Sequence, residues 1–219
     1  METVQRHRMI SIDHLTKKFG ENTVIDVPKL VIPQGQRLGL VGNNGAGKTS
    51  LLSMLLDLVE PTTGTIFNKG INVNENSGWK RFTTSYLDET FLVDYLRPQE
   101  YLQFLGELRR LDKDQVLEEL KHLAGFFRGE VLGNRKYLSG LSTGNRKKVG
   151  IGGCFLGGPE VVLLDEPFTK LDPRSQFELV NLLKNDLWNQ NRTLVISSHD
   201  LGHITQVCDR VVLLEKGKI

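Results

Sequence analysis

The stretch LVGNNGAGKTSLL, residues 40–52, constrains the chain more than any other. Two apolar runs, one suited to a buried strand and one to a buried helix, are joined by Gly42, Asn43, Asn44, Gly45, Ala46, Gly47, Lys48 and Thr49, which have little to pack. A glycine-rich turn in that place exposes successive backbone N–H groups at a helix amino terminus, where unpaired donors and the helix dipole both favour an anion. Side chains would obstruct the approach, so Gly42, Gly45 and Gly47 read as backbone made available. The spacing is G-x-x-x-x-G-K-[ST], in which Lys48 supplies a cation for outer phosphates and Thr49 a hydroxyl for Mg²⁺. Ser50, next in the chain, joins the same binding set.

Further short apolar runs predict strands at Met9 to Leu15, Val24 to Val31, Arg37 to Val41, Thr65 to Phe67, Val161 to Leu164, Thr193 to Ser197 and Val211 to Leu214. Those starting at 161, 193 and 211 are almost uninterruptedly apolar, the pattern of parallel strands covered on both faces. Helical spacing follows in Lys48 to Leu58, with Leu51, Leu52, Leu55 and Leu58, and in Arg174 to Trp188, with Phe177, Val180, Leu183 and Leu187. This alternation predicts an α/β core. From about residue 76 to 158 the pattern changes. Helices are expected at Pro98 to Arg110 and Asp114 to Phe127, with apolar stripes of Tyr101, Leu102, Leu105 and Leu108, and of Val116, Leu117, Leu120 and Leu123, and without a comparable strand run. One domain over 1–219 is expected, its α/β core from 1–75 and 159–219 and a helical lobe from 76–158.

Formal charge is only +2 over 219 residues, so no field over the whole surface recruits nucleic acid, and a polyanion must be bound locally. Cys154 and Cys208 are too few for a disulfide framework and lie in no CxxC pair, which reads as buried free thiols in a reducing cytosol. No apolar run approaches the ~18 to 20 residues that cross a bilayer. Met1 to Arg8 lacks the apolar centre of a secretory signal.

Two further strands bring chemistry. In VVLLDEP, the run from Val161 carries Asp165 and Glu166 to a strand end, where ligands of open α/β sheets gather. Adjacent strand residues point to opposite faces, so two tasks are expected: Asp165 in the Mg²⁺ shell and Glu166 as general base for the attacking water. In TLVISSHD, His199 ends a buried strand and is expected at the terminal phosphate or the attacking water. His199 and His203 stand four apart, but no HExxH or third ligand accompanies them, so zinc is not expected.

With residues 42–49, VVLLDEP, KLDP and SSHD in this order, the sequence resembles the nucleotide-binding subunit of an ABC transporter over nearly its whole length. The most specific element is LSTGNRKKV from Leu141, similar to the family signature LSGGQ with its basic helix, although Thr143 replaces a glycine and Asn145 a glutamine. Ser142 and Gly144 keep a hydroxyl and a bare N–H at a helix start. The basic run Arg146 to Lys148 reads as a solvated helix face, whereas Gly150, Gly152 and Gly153, costly inside a helix, suggest tight packing. Phe19 resembles the aromatic that stacks on adenine, with a core phenylalanine as the alternative. Glu89 falls where the family has a glutamine that touches Mg²⁺ and links the ATP site to the helical lobe. Asp172 resembles the aspartate that lies across a dimer interface, with helix N-capping before Pro173 as the alternative.

The resemblance implies a P-loop NTPase fold: a RecA-like core with a mostly parallel sheet, an N-terminal antiparallel β part and an inserted α-helical lobe. It also implies ATP and Mg²⁺ as cofactors and a head-to-tail dimer, with each ATP between residues 42–49 of one subunit and Ser142 and Gly144 of the other. The second subunit would be another copy or a related ATPase. Lys48, Glu166 and His199 would act in hydrolysis. A multi-span membrane permease would make the chain peripheral to the cytoplasmic face, and export is the expected direction. The segment from Ser197 to Ile219 resembles bacterial members of the exporting group, and the chain ends at EKGKI, where the family turns back into another strand. Competing readings are a soluble ABC ATPase acting on ribosomes or DNA, and a nucleotide-binding regulator without turnover. No nucleic-acid partner is expected.

Overall fold

In the computed structural model the described residues are 8–186 and 192–219. Four strands form an antiparallel sheet in the order β2-β1-β4-β5, with β1 Arg8–Phe19, β2 Asn22–Pro33, β4 Thr63–Asn68 and β5 Ile71–Asn72. Five strands form the second sheet, β6-β7-β8-β3-β9, from β3 Arg37–Val41, β6 Thr83–Tyr86, β7 Val161–Leu164, β8 Thr193–Ser198 and β9 Arg210–Leu213, and every pairing in it is parallel. The residues of β7 and β8 are buried throughout, which is why the sequence shows runs rather than alternation there. Helix α1, Lys48–Leu55, lies between the sheets, and its Leu51, Leu52 and Met54 join Ile10, Ile12, Ile25 and Leu40 in one apolar core.

A second core holds the helices together: α2 Pro98–Leu108, α3 Lys113–Lys121, α4 Ala124–Phe127, α5 Thr143–Gly153, α6 Pro173–Asn181 and α7 Leu201–Val207. The helix expected over Asp114 to Phe127 is interrupted, and α4 stops at Arg128, whose backbone is left-handed at φ 51°. Leu108, Leu117 and Phe177 sit exposed at the margins of their stripes, and Leu58 is exposed beyond the end of α1. A π-helical segment, Leu182–Asp186, follows α6, and Leu187 and Trp188 lie outside the described residues. Cys154 is buried and Cys208 half-buried, both as free thiols pushed up to about 12 by burial. Among the described residues no helix is long and apolar enough to cross a membrane.

Residues 76–158 show no apolar strand run comparable to the others, yet they contain β6, a strand unexpected from the sequence that extends the parallel sheet beside β7. Its sequence, TTSY, hides a buried strand because the hydroxyls find partners. The Asn68 amide donates to Thr83 Oγ1 at 3.0 Å, and Thr84 Oγ1 donates to the Cys154 carbonyl at 2.9 Å. Buried polar groups satisfied in this way cost little.

The glycines of α5 have a steric cause. A Cβ on Gly150 would lie 2.5 Å from the Tyr86 ring of β6, one on Gly152 would strike the Phe127 ring of α4, and one on Gly153 would strike Leu105 of α2. The helix therefore forgoes propensity at three positions to let a strand and two helices approach its backbone. Gly152→Ala is expected to destabilise by about 1–3 kcal/mol through overpacking against Phe127, which outweighs the ~1 kcal/mol of helix propensity gained. Chemical denaturation of the variant checks this, and an unchanged or raised midpoint would contradict the packing.

Candidate active site

Parallel register brings three chain segments to one sheet edge. Leu164 stands opposite Ile196, and Val41 opposite Ser198, so the chain leaves β7, β8 and β3 on the same side carrying Asp165, His199 and Gly42. The loop from Gly42 then enters α1 through Gly47, the N-cap residue, at φ 104°. That backbone is closed to L side chains, and a Cβ there would also press on Ile25 at 2.7 Å. Gly42 is held to glycine for a different reason, since a Cβ would strike the Leu214 carbonyl just beyond β9. Beside the loop lies a cleft of about 340 Å³ lined by Asn44, Gly45, Gly47, Lys48, Thr49, Ser50 and Glu166. Asn43 and Asn44 are exposed, and the Ala46 carbonyl accepts the Gly217 N–H at 2.9 Å.

Lys48 is only 5% exposed and folds back over its own loop, where Nζ donates to the Gly42 carbonyl at 2.6 Å and the Asn43 carbonyl at 3.3 Å. It also lies 3.2 Å from Glu166 Oε1, an ion pair without hydrogen-bond alignment. Thr49 Oγ1 donates to Asp165 Oδ2 at 2.6 Å, and Ser197 of β8 donates to the other Asp165 oxygen. Glu166 Oε2 meets His199 Nδ1 at 2.9 Å. The two carboxylates thus have separate partners, as strand alternation suggests, yet alternation is not what turns them apart. Glu166 lies beyond β7 in the left-handed region, φ 44°, a conformation costing a non-glycine residue roughly 1–2 kcal/mol.

One of the bonds that hold Glu166 there comes from Lys147 of the basic run of α5, and the expectation of a solvated face is corrected. Lys147 and Lys148 are 4% and 1% exposed. Lys147 Nζ donates to the Glu166 carbonyl at 2.8 Å and to Thr169 Oγ1 at 2.9 Å. Lys148 pairs with Glu130 at 2.7 Å, and Arg146 pairs with Asp94 and donates to the Glu89 carbonyl at 3.1 Å. Burial pushes the Lys147 ammonium below the usual lysine range, against the pull of the Glu89, Glu166 and Asp165 carboxylates. Charge counting along one helix could not reveal this, because every partner comes from another element.

The remaining expected residues are placed as follows. Phe19 ends β1 with 55% of its surface exposed and the Lys17 ammonium 5.0 Å from its ring, which removes the core alternative. Glu89 is 8% exposed; its Oε2 lies 3.7 Å from Lys170 Nζ and its Oε1 has no hydrogen-bond partner. Ser142 is the N-cap of α5, its Oγ accepting the Asn145 N–H at 3.3 Å, and Gly144 packs close to the Lys170 carbonyl. Asp172 caps α6 by accepting the Ser175 N–H at 3.0 Å, and it pairs with Arg128 at 3.3 Å. The Ser175 hydroxyl and N–H bonded to it pull its carboxyl down to about 2. Among the described residues no hydrogen bond joins Ser142, Gly144 or Asp172 to residues 42–49 of the same chain. His203 stacks on Phe168 with centroids 4.5 Å apart.

Comparison with known proteins identifies the family. The ABC transporter family model matches residues 25–169. An uncharacterized ABC transporter ATP-binding protein of Bacillus subtilis, YhaQ, is 36% identical over 96% of this chain and 69% of its own length. The bacitracin transport ATP-binding protein BcrA of Enterococcus faecalis is 33% identical over 96% of this chain and 68% of its own. The solved structure of an ATP-binding subunit of an ABC transporter superposes with a TM-score of 0.84 at 25% identity, covering 96% of this chain and 88% of that one. A dimeric ATP-binding cassette in a post-hydrolysis state with ADP and Pi shares the fold, with a TM-score of 0.83 at 22% identity, over 96% of each chain. The family match across the phosphate loop and the carboxylate strand, on a fold of this kind, makes the chain a member of the ABC transporter family, an ATP-binding subunit and cassette ATPase.

Proposed function

We propose that the chain hydrolyses ATP with Mg²⁺ at residues 42–49, Asp165, Glu166 and His199, and so drives a separate membrane permease. The observation that carries this reading is the Thr49–Asp165 hydrogen bond of 2.6 Å, which joins the phosphate loop to the carboxylate strand, with Glu166 beside it touching both Lys48 and His199. The donors suit a hard cation: the Thr49 hydroxyl and Asp165 carboxylate are oxygen ligands in contact, and Glu89 Oε1 is a buried carboxylate oxygen without a hydrogen-bond partner. Mg²⁺ held by Thr49 and Asp165, with Glu89 as a third oxygen donor, would neutralise charge developing on the phosphates.

In this mechanism the loop amides and Lys48 bind the β- and γ-phosphates, and Phe19 offers its exposed ring to the adenine. Glu166 orients and deprotonates the attacking water, and His199, hydrogen-bonded to Glu166, keeps that carboxylate turned toward the terminal phosphate. Ser142, Gly144 and Asp172 are assigned to the ATP held by a second copy or related subunit, a reading compatible with the absence, among the described residues, of any hydrogen bond from them to residues 42–49 of the same chain. ATP then becomes part of the interface, adding charge-assisted bonds to both subunits at once. The helices between β6 and β7 form the lobe that carries Ser142, and through it the permease is driven. Outward transport is the direction proposed, from the resemblance of residues 197–219 to exporters with separate membrane subunits; the bacitracin transport relative is compatible with it.

Glu166→Gln is expected to keep ATP affinity while kcat falls by about 10²-fold or more, the contribution typical of a general base. Lys48→Ala, by contrast, weakens nucleotide binding itself, read by titration with a fluorescent ATP analogue. Equal steady-state turnover of wild type and Glu166→Gln would remove Glu166 from its role. A second expectation concerns assembly. With saturating ATP and Mg²⁺, the Glu166→Gln protein should elute as a dimer from a sizing column and return to monomer when the nucleotide is washed out. Elution as a monomer in both conditions would count against the shared site.

A further inference from the structure

Glu166 is not a glycine, yet its backbone is left-handed, so the surroundings must impose that conformation. Four bonds do so. Its N–H donates to Ser197 Oγ at 2.9 Å, and its carbonyl accepts from Thr169 Oγ1 at 2.8 Å, from the Thr169 N–H at 3.3 Å and from Lys147 Nζ at 2.8 Å. The two Thr169 bonds are local, spanning three residues of the same turn. The Lys147 bond is the one that ties this turn to α5, and its ammonium also donates to Thr169 Oγ1 and lies 5.6 Å from the Tyr86 ring. At 4% exposure Lys147 leaves little access for water to take over that bond.

We propose that Lys147 is a positioning residue for hydrolysis: by clamping the Glu166 carbonyl to α5 it fixes the direction from which the Glu166 carboxylate reaches Lys48 and His199. The inference rests on Glu166 being the general base. Without the clamp the peptide following Glu166 keeps only its local bonds to Thr169 and the Ser197 bond and loses its tie to α5, so it can shift, and a displacement of about 1 Å at a reacting group costs on the order of 10²-fold in rate. Because α5 begins at Ser142, movement of that helix start is carried to Glu166 along little more than one helical turn.

The test compares wild type, Lys147→Met, Lys147→Gln, Glu166→Gln and the Lys147→Met/Glu166→Gln double variant in steady-state ATPase assays, with binding of a non-hydrolysable ATP analogue measured alongside. Lys147→Met should lower kcat by roughly ten- to hundredfold, with KM and analogue affinity within about twofold of wild type. Lys147→Gln, which keeps N–H donors on a shorter stem, should recover part of kcat. In the Glu166→Gln background the Met substitution should cost nothing further, as expected of groups that act as a unit. Wild-type kcat in Lys147→Met, a change confined to KM, or additive losses in the double variant would each overturn the proposal. Wild-type turnover by Glu166→Gln would instead sink the general-base assignment, whatever Lys147 does. If thermal unfolding shows that Lys147→Met does not fold, Thr169→Val and Lys147→Gln take its place, and unchanged kcat in both overturns the proposal.

Discussion

The hydrogen bond from Thr49 to Asp165 is the contact on which the site depends, because it joins two segments 116 residues apart into one constellation. It exists only if β7 and β3 leave the sheet on the same edge, which their parallel pairing through β8 ensures. Ser197 then binds the other Asp165 oxygen and accepts the Glu166 N–H, so one hydroxyl on β8 registers both carboxylates. A carboxylate bonded on both oxygens has little freedom to swing, which is the preorganisation that charge stabilisation of a phosphoryl transfer needs.

Around this edge the helical part is built for close approach rather than helix propensity. α5 surrenders a Cβ at Gly150, Gly152 and Gly153 so that Tyr86, Phe127 and Leu105 can lie on its backbone, and it sends two lysines inward to fixed oxygens. Buried cations of this kind are tolerated because each meets a carboxylate or a carbonyl, and removing the partner would leave a desolvated charge. The helix capped by Ser142 is therefore joined to the candidate catalytic edge by polar bonds as well as by apolar contact.

Much of this was legible in the sequence, for identifiable reasons. Residues 42–49 are recognisable because the loop proposed to bind phosphate leaves bare amides at a fixed spacing from a lysine and a hydroxyl, and β7 and β8 are recognisable because strands covered on both faces cannot hide among polar residues. The strand Thr83–Tyr86 escaped because its buried threonines are satisfied by Asn68 and by the Cys154 carbonyl, partners invisible in a linear pattern. Lys147 and Lys148 escaped for the same reason, since a basic run on one helix is indistinguishable from a solvated face until the oxygens of other segments are placed.

The sequence by itself determined the chemistry, namely which backbone is left bare, which carboxylates end a buried strand and to which family the motifs belong, because these depend on spacings of a few residues. The tertiary structure alone decided how those groups are aimed. The left-handed turn of Glu166, its bonds to Ser197 and Lys147, and the steric demand behind the α5 glycines all arise between elements distant in the chain, where local pattern carries no information.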